Sequence, residues 1–313
     1  MASAAAGIQK SLDRINAQVA SGAFYEAQQM YKTVYHRCKA RRQTEDSYTV
    51  LQAGAVTQLT NQQLTCGVEL ANMLIEAFVA DSVKADAAHL GMVYAILRAL
   101  PGSLQLADPD STAELEELSR WVMAALKWAH KQGADDDVHT IHDVFAGWIW
   151  RAYGWRQFSK AALHYSRGAD AAAYASALAA VSNQAGSSGE EDLFIARAVL
   201  QTLACAHARN AQRQLQHAAA VLEACTAVQP SAAQQPLVRF CELLLQALQL
   251  RKQQLLALLR GSYAPSLQLD PSFEAYLDTI EQVYFDVRPA GGSGGLLGSL
   301  LRGLLEGDEM DDD

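Results

Sequence analysis

Proline is scarce in this chain, 7 residues in 313, and several of these fall in segments that read as loops (Pro101, Pro109, Pro230, Pro265, Pro271). With few helix breakers, few β-branched runs and much Ala, Leu and Gln, the composition favours helix almost everywhere. No stretch alternates apolar and polar residues like a half-buried strand. The 5 cysteines (Cys38, Cys66, Cys205, Cys225, Cys241) are scattered, odd in number and form no CxxC pair. That argues against a disulfide framework and fits reduced, packed thiols in a cytosolic protein. No run of about 18 apolar residues is present to span a bilayer, and Ala2–Gly7 is too short and small for a secretory core. Excess positive charge is also lacking: the formal net charge of −9 disfavours non-specific nucleic-acid binding. No GxSxG, P-loop, GxGxxG or HExxH occurs. The expectation is a protein with no catalysis, no cofactor and no metal.

What is present is apolar periodicity. Half of the residues are hydrophobic, ample for a large core or a row of small ones. One short pattern occurs twice. Phe24, Ala27 and Tyr31 stand at i, i+3 and i+7, and Phe158, Ala161 and Tyr165 repeat that spacing. Such a set lies on one helix face, where the Ala admits a neighbouring helix between two rings. Stacked helical hairpins are built this way.

Helical segments are predicted near 8–20, 24–41, 44–59, 61–80, 84–99, 113–130, 138–152, 157–166, 170–183, 189–209, 211–227, 235–260 (with a break near Arg251) and 272–284. Asp108 to Thr112 reads as an N-terminal cap, Gln132–Asp137 as a polar loop and Gly186–Gly189 as the clearest internal loop. Short connections imply antiparallel neighbours. The predicted fold is an all-α solenoid of antiparallel hairpins, TPR-like with degenerate repeats. It divides most naturally at Tyr153-Gly154. The predicted organisation is an N-terminal half over 1–150, a C-terminal half over 151–288, and a tail over 289–313. That tail comprises a Gly-rich joint (291–295), an apolar segment (Leu296–Leu305) and an acidic run.

Several stretches carry a family resemblance. Gly22-Ala-Phe-Tyr-Glu-Ala-Gln-Gln-Met-Tyr31 resembles G-D-Y-Y-E-A-H-Q-M-Y, and Ala124-Ala125-Leu126-Lys127-Trp128 resembles R-A-L-K-W. Phe194-Ile-Ala-Arg-Ala-Val-Leu200-Gln201 is similar to F-V-A-Q-A-V-L-Q. Tyr263-Ala-Pro-Ser-Leu267, Asp270-Pro271 and Tyr276-Leu-Asp-x-Ile280 come in the order Y-Q-P-S-L, D-P, Y-L-D-x-I, and Gly295-Leu-Leu-Gly-x-Leu-Leu301 resembles G-G-L-L-G-N-L-L. These resemble the Golgi-to-ER traffic protein four family, the cytosolic scaffold of guided entry for tail-anchored membrane proteins. The resemblance implies a non-enzymatic adaptor. Its N-terminal half would hold a targeting ATPase, and its C-terminal half a ubiquitin-like protein and, in animals, a BAG-type chaperone. Family members often carry a longer excursion, sometimes a β-hairpin, before the penultimate helices. Gln229–Pro236 is short for it, so a β-hairpin in the C-terminal half is an open question. The rival is a helical-repeat subunit of another cytosolic assembly.

Two surfaces stand out as candidates. Lys10, Arg14, Lys32, His36 and Arg37 form a basic cluster on the first two helices, either a solvated face or a dock for an acidic patch on the ATPase. Glu69, Glu76 and Asp81 fall where the family carries acids near the same partner. In the C-terminal half, Leu243, Leu244, Leu248, Leu255 and Leu259 belong to a leucine set too large for one stripe, which points either to a helix buried on all sides or to a groove for the ubiquitin-like partner. His139 and His142 beside Asp135–Asp137 look like metal ligands only superficially, the acids reading as loop and first-turn charges. His36 and Cys38 are two apart on a helix and point apart. Trp148, Trp150, Tyr153 and Trp155 read as packing between the halves. The apolar tail reads equally as a cap folded onto the last hairpin or as a partner dock; membrane association is disfavoured by its acidic flank.

Overall fold

The computed structural model describes residues 2–102, 112–186 and 189–287. The predicted cap at Asp108–Ser111, the centre of the Gly186–Gly189 loop and the whole 289–313 segment lie outside the described residues. Every regular element among the described residues is helical, so no β-hairpin is found there. No helix among them is long and apolar enough to cross a membrane. The chain divides into two compact units that meet in sequence between Tyr153 and Gly154.

The first unit comprises α1 (Ala2–Ala20), α2 (Phe24–Ala40), α3 (Thr44–Thr60), α4 (Leu64–Ala80), α5 (Ala87–Arg98), α6 (Ala113–Lys131) and α7 (Asp135–Tyr153). Helices α1, α2 and α3 each pack on the next, then α4 on α6, α5 on α3 and α7, and α6 on α7. The start of this unit is more regular than the residues suggest. Helices α2, α3 and α4 are each 17 residues long and begin at 24, 44 and 64. Their preceding turns place a left-handed residue at Gly22, Arg42 and Gln62, and Ser82 continues the series after α4. All four turns close alike: the left-handed residue's N–H bonds the carbonyl three back, and the next N–H reaches five back, as in Gln43 N to Cys38 O (2.9 Å) and Gln63 N to Gln58 O (2.9 Å). This double closure satisfies carbonyls that a helix end otherwise leaves bare. A twenty-residue period therefore runs through four turns, where the residues alone show only the ring–Ala–ring set.

Ala27 is fully buried and Tyr31 nearly so. The Tyr31 ring lies on Gly54 of α3, so close that a Cβ there would stand 2.8 Å from Tyr31 Cγ and 2.9 Å from Leu70 Cδ1. Two buried donors are bonded to backbone carbonyls distant in sequence: Gln58 Nε2 donates to Phe24 O at 2.8 Å, and Trp128 Nε1 to Val83 O at 3.0 Å, while the Gln58 Oε1 finds no partner among the described residues. Such pairing is what keeps a buried amide from costing stability. Of the boundaries that differ from expectation, two have a plain local cause. Helix α5 starts at Ala87 because the Asp86 carboxylate caps it, accepting from Ala88 N and His89 N. Helix α7 takes in Asp135–Asp137 as its first turn, where the helix dipole favours acids.

The second unit comprises α8 (Phe158–Arg167), α9 (Ala171–Ala185), α10 (Glu191–Ala204), α11 (Ala211–Val228), α12 (Pro236–Gln249), α13 (Gln253–Ser262), the single turn α14 (Ala264–Leu267) and α15 (Ser272–Phe285), with 3-10 turns at Gly154–Gln157 and Pro230–Gln234. Helix α10 is its axis, touching α8, α9, α11, α12 and α15. Ala161 and Tyr165, from the second ring–Ala–ring set, are buried, and Tyr165 stacks on Tyr174 of α9 at 5.1 Å. The predicted break near Arg251 is present: Arg251 is left-handed (φ 50°) and closes α12 as the early turns close theirs. Where a β-hairpin was in question, Gln229–Pro236 forms the 3-10 turn. Its Gln235 accepts from Asp192 N (3.1 Å) and donates to Glu191 Oε2 (3.2 Å), holding the head of α10.

Candidate partner-binding surfaces

On the first unit, the predicted basic and acidic residues come together but are not all free. Lys10 and Arg14 stand one turn apart on α1, exposed and without an ion pair among the described residues. Arg37 reaches from α2 to donate to Ser11 Oγ at 2.7 Å, which sets it beside that pair. His36 is exposed, edge-on to Tyr35 at 5.0 Å. Lys32, in contrast, is bound to Glu69 of α4 at 2.5 Å. Gln28 donates to the other Glu69 oxygen at 2.6 Å. Lys39 pairs with Asp81, which also accepts from Tyr48 Oη at 2.5 Å. The Lys32 ammonium, the largest influence, holds the Glu69 carboxyl below its usual range, and Lys39 followed by Tyr48 does the same for Asp81. Burial first, then the Asp81 carboxylate, pushes the Tyr48 phenol up.

Two of the three candidate acids are thus tied to α2 as a pair of inter-helix staples. Exposed pairs of this kind contribute about 0–1 kcal/mol each. Glu76 alone of the three is exposed and unpaired among the described residues. The sequence did not reveal Lys39, Gln28 or Tyr48 as partners. A trace of signal existed: Lys32 and Lys39 are seven apart on α2, as Glu69 and Glu76 are on α4, so like charges recur on one face of each helix.

On the second unit the leucine set divides. Leu244 and Leu248 are buried in the core on α12, which corrects their place in a groove. They lie in one stripe with Leu237 and Cys241, at i, i+4, i+7 and i+11. Leu243 and Leu255 are exposed and Leu259 is half-buried. Leu250, Leu258 and Leu269, outside the predicted set, are more exposed than any of these. The apolar surface thus belongs to the α12–α13 corner and α13 itself.

The remaining candidates are structural. Trp148 is buried and donates to Pro101 O at 2.8 Å, with Phe145 stacked on it and Tyr153 edge-on. Trp155 is exposed under the Arg156 guanidinium. Among the described residues no group of His, Cys, Asp and Glu could hold a metal ion. His142 is buried, while Asp137 accepts from Tyr94 Oη at 2.8 Å and Asp135 meets His130 at 3.2 Å. Burial raises the thiols of Cys38, Cys66 and Cys241, and pushes that of Cys225 up to about 12. Thiols so raised are poor nucleophiles at neutral pH.

Known proteins resemble this chain in sequence and in fold. The chain is 29% identical to the Golgi to ER traffic protein 4 homolog of Xenopus tropicalis, over 98% of this chain and 90% of that protein. It is 28% identical to the Homo sapiens homolog, over 98% and 89%. The crystal structure of C. therm. Get4 superposes with a TM-score of 0.72 at 20% identity, covering 94% of this chain and 95% of that one, a likeness of fold. The family is named for traffic and not for a catalysed reaction. A sequence model described as Golgi to ER traffic protein 4 matches residues 41–305, and the chain belongs to that family.

Proposed function

We propose that this protein is a non-enzymatic scaffold for delivery of tail-anchored proteins to the ER membrane. In this reading the first unit holds a targeting ATPase, and the second holds a ubiquitin-like protein and, where the organism has one, a BAG-type chaperone. The work is done in the cytosol. One observation carries the reading: within a traffic-family chain, two chemically different surfaces sit on two separate units. The α1–α4 surface offers the unpaired charges of Lys10, Arg14 and Glu76 beside the exposed His36 ring. The α12–α13 surface offers bare leucines.

The chemistry suits the roles. Rim charges steer encounter and set the on-rate more than the lifetime, as a transient hand-off requires. An apolar helix face suits a longer-lived partner helix or loop. Holding both partners raises the effective concentration of each near the other with no bond made or broken. The test is pull-down with both partners present. Lys10→Glu with Arg14→Glu is expected to abolish ATPase capture and retain the ubiquitin-like protein, and Leu255→Asp to do the reverse. Loss of both, or retention of both, refutes the division of surfaces. Co-purification with components of some other assembly in place of these two partners would favour the rival scaffold.

A further inference from the structure

Helix α13 is unusually bare. Of its ten residues only Leu256 is buried. Leu255 and Leu258 are 39% and 64% exposed, and Leu250 just before it is 62% exposed. An apolar strip of this kind in water calls for a cover. Its two ends differ in charge. At the start, Arg251 and Lys252 are exposed and make no ion pair among the described residues. At the end, Arg260 is saturated by three carboxylates of α15: Glu274 (2.8 Å), Asp278 (2.9 Å) and Glu281 (3.1 Å). Helix α15 ends at Phe285, four residues or about 6 Å past Glu281. The chain therefore leaves α15 beside the far end of α13.

The residues after α15 match that strip in length and chemistry. Residues 288–295 form an eight-residue, Gly-rich connection, able to span up to about 26 Å. Leu296–Leu305 then supplies leucine pairs at 296/297, 300/301 and 304/305, a spacing that shares one helix face. Its ten residues equal the ten of α13, about 15 Å each as helix. Glu306, Asp308 and Glu309 come next. Entering at the Arg260 end and running antiparallel, the leucines lie along Leu255 and Leu258, and the acids arrive at Arg251 and Lys252. The parallel placement would instead bring the acids to the three carboxylates around Arg260, where like charges repel.

We infer that Leu296–Leu305 docks antiparallel along the exposed face of α13, with its acidic flank on Arg251 and Lys252. Competition with the ubiquitin-like protein arises only if that partner uses the same face, as proposed above; the dock itself does not depend on it. Hydrogen exchange on the full chain tests it. Amides of 253–262 and of 296–305 are expected to exchange about tenfold faster in Leu300→Asp/Leu301→Asp than in the unaltered protein. Arg251→Glu/Lys252→Glu, which leaves every leucine in place, is expected to loosen 296–305 as well. Exchange of 296–305 at the rate of an unprotected chain in the unaltered protein overturns the dock. So does unchanged exchange of 253–262 in the leucine variant, or protection that disappears on dilution and so belongs to a second copy. Affinity for the ubiquitin-like protein is expected to rise several-fold in the leucine variant. If it is unchanged while the protection pattern holds, the dock stands and the assignment of that partner to α13 fails.

Discussion

Gly54 and Gly91 are both interior helix glycines of the first unit, yet replacement by Ala should shift stability in opposite directions. At Gly91, on α5, nothing lies within 4 Å of an added Cβ. Gly91→Ala should therefore express the plain propensity gain of about 0.5–1 kcal/mol, since Ala loses less backbone entropy on folding. At Gly54 the same gain is available, but the new Cβ would stand 2.8 Å from Tyr31 Cγ, 2.9 Å from Leu70 Cδ1 and 3.0 Å from Tyr31 Cδ1. Cγ is fixed close to the backbone and cannot rotate aside, and Tyr31 is 1% exposed, with no room to retreat. Overpacking of this kind costs about 1–3 kcal/mol. With two helices obliged to move, the upper part of that range applies, and the net loss should be about 1–2 kcal/mol. The two variants should then differ by about 2 kcal/mol, roughly thirtyfold in the unfolding constant. Urea unfolding followed by circular dichroism at 222 nm measures both against the same unit. If Gly54→Ala matches or exceeds the parent in stability, the close approach of α2 and α3 does not depend on the missing side chain, and the role given to the ring–Ala–ring face is wrong.

Four further outcomes are expected. Arg42→Gly, Gln62→Gly and Ser82→Gly should each stabilise by about 0.5 kcal/mol, because relief of left-handed strain outweighs glycine's unfolded-state entropy, while Gly22→Ala should destabilise by about 1 kcal/mol; melting curves decide. Leu244→Ala should cost about 2–5 kcal/mol as a core truncation, whereas Leu258→Ala should stay within about 0.5 kcal/mol. Burial holds the His164 imidazole down to about 3 and lowers that of His217. The unfolded chain therefore binds more protons between those values and about 6.5, so the second unit should lose stability as pH falls below about 6.5, and His217→Gln should flatten that slope in unfolding series. Glu69 and Asp81 are lowered by their partners, so the α2–α4 staples persist above the ordinary carboxylate range and are lost as pH falls through the lowered values; Lys32→Ala should remove part of that acid response in the first unit.

Helix type and the places of most breaks were legible because they depend on local physics. Apolar residues at helical spacing, few prolines and a Gly at Ser21-Gly22 fix them whatever the neighbours. The twenty-residue period was hidden because its recurring feature is a backbone angle, carried by Gly, Arg, Gln and Ser in turn. Whether the stretch before α12 held a β-hairpin stayed open because its anchoring is remote: Gln235 ties it to the head of α10, more than forty residues away. At the candidate surfaces the sequence identified charges and leucines but not their state. Lys32 and Glu69 are 37 residues apart and Lys39 and Asp81 are 42 apart, and no local pattern declares that such groups are already paired.

The sequence by itself determined an all-helical chain, its hairpin connections, its family and its poverty in reactive groups. These depend on residue type and spacing. Tertiary structure alone decided which members of each candidate set remain available: Lys10, Arg14, His36 and Glu76 in one unit, and Leu243 and Leu255 in the other. Availability is a property of distant neighbours. A lysine beside a carboxylate from another helix, or a leucine buried in the core, is chemically the same residue as one left in water.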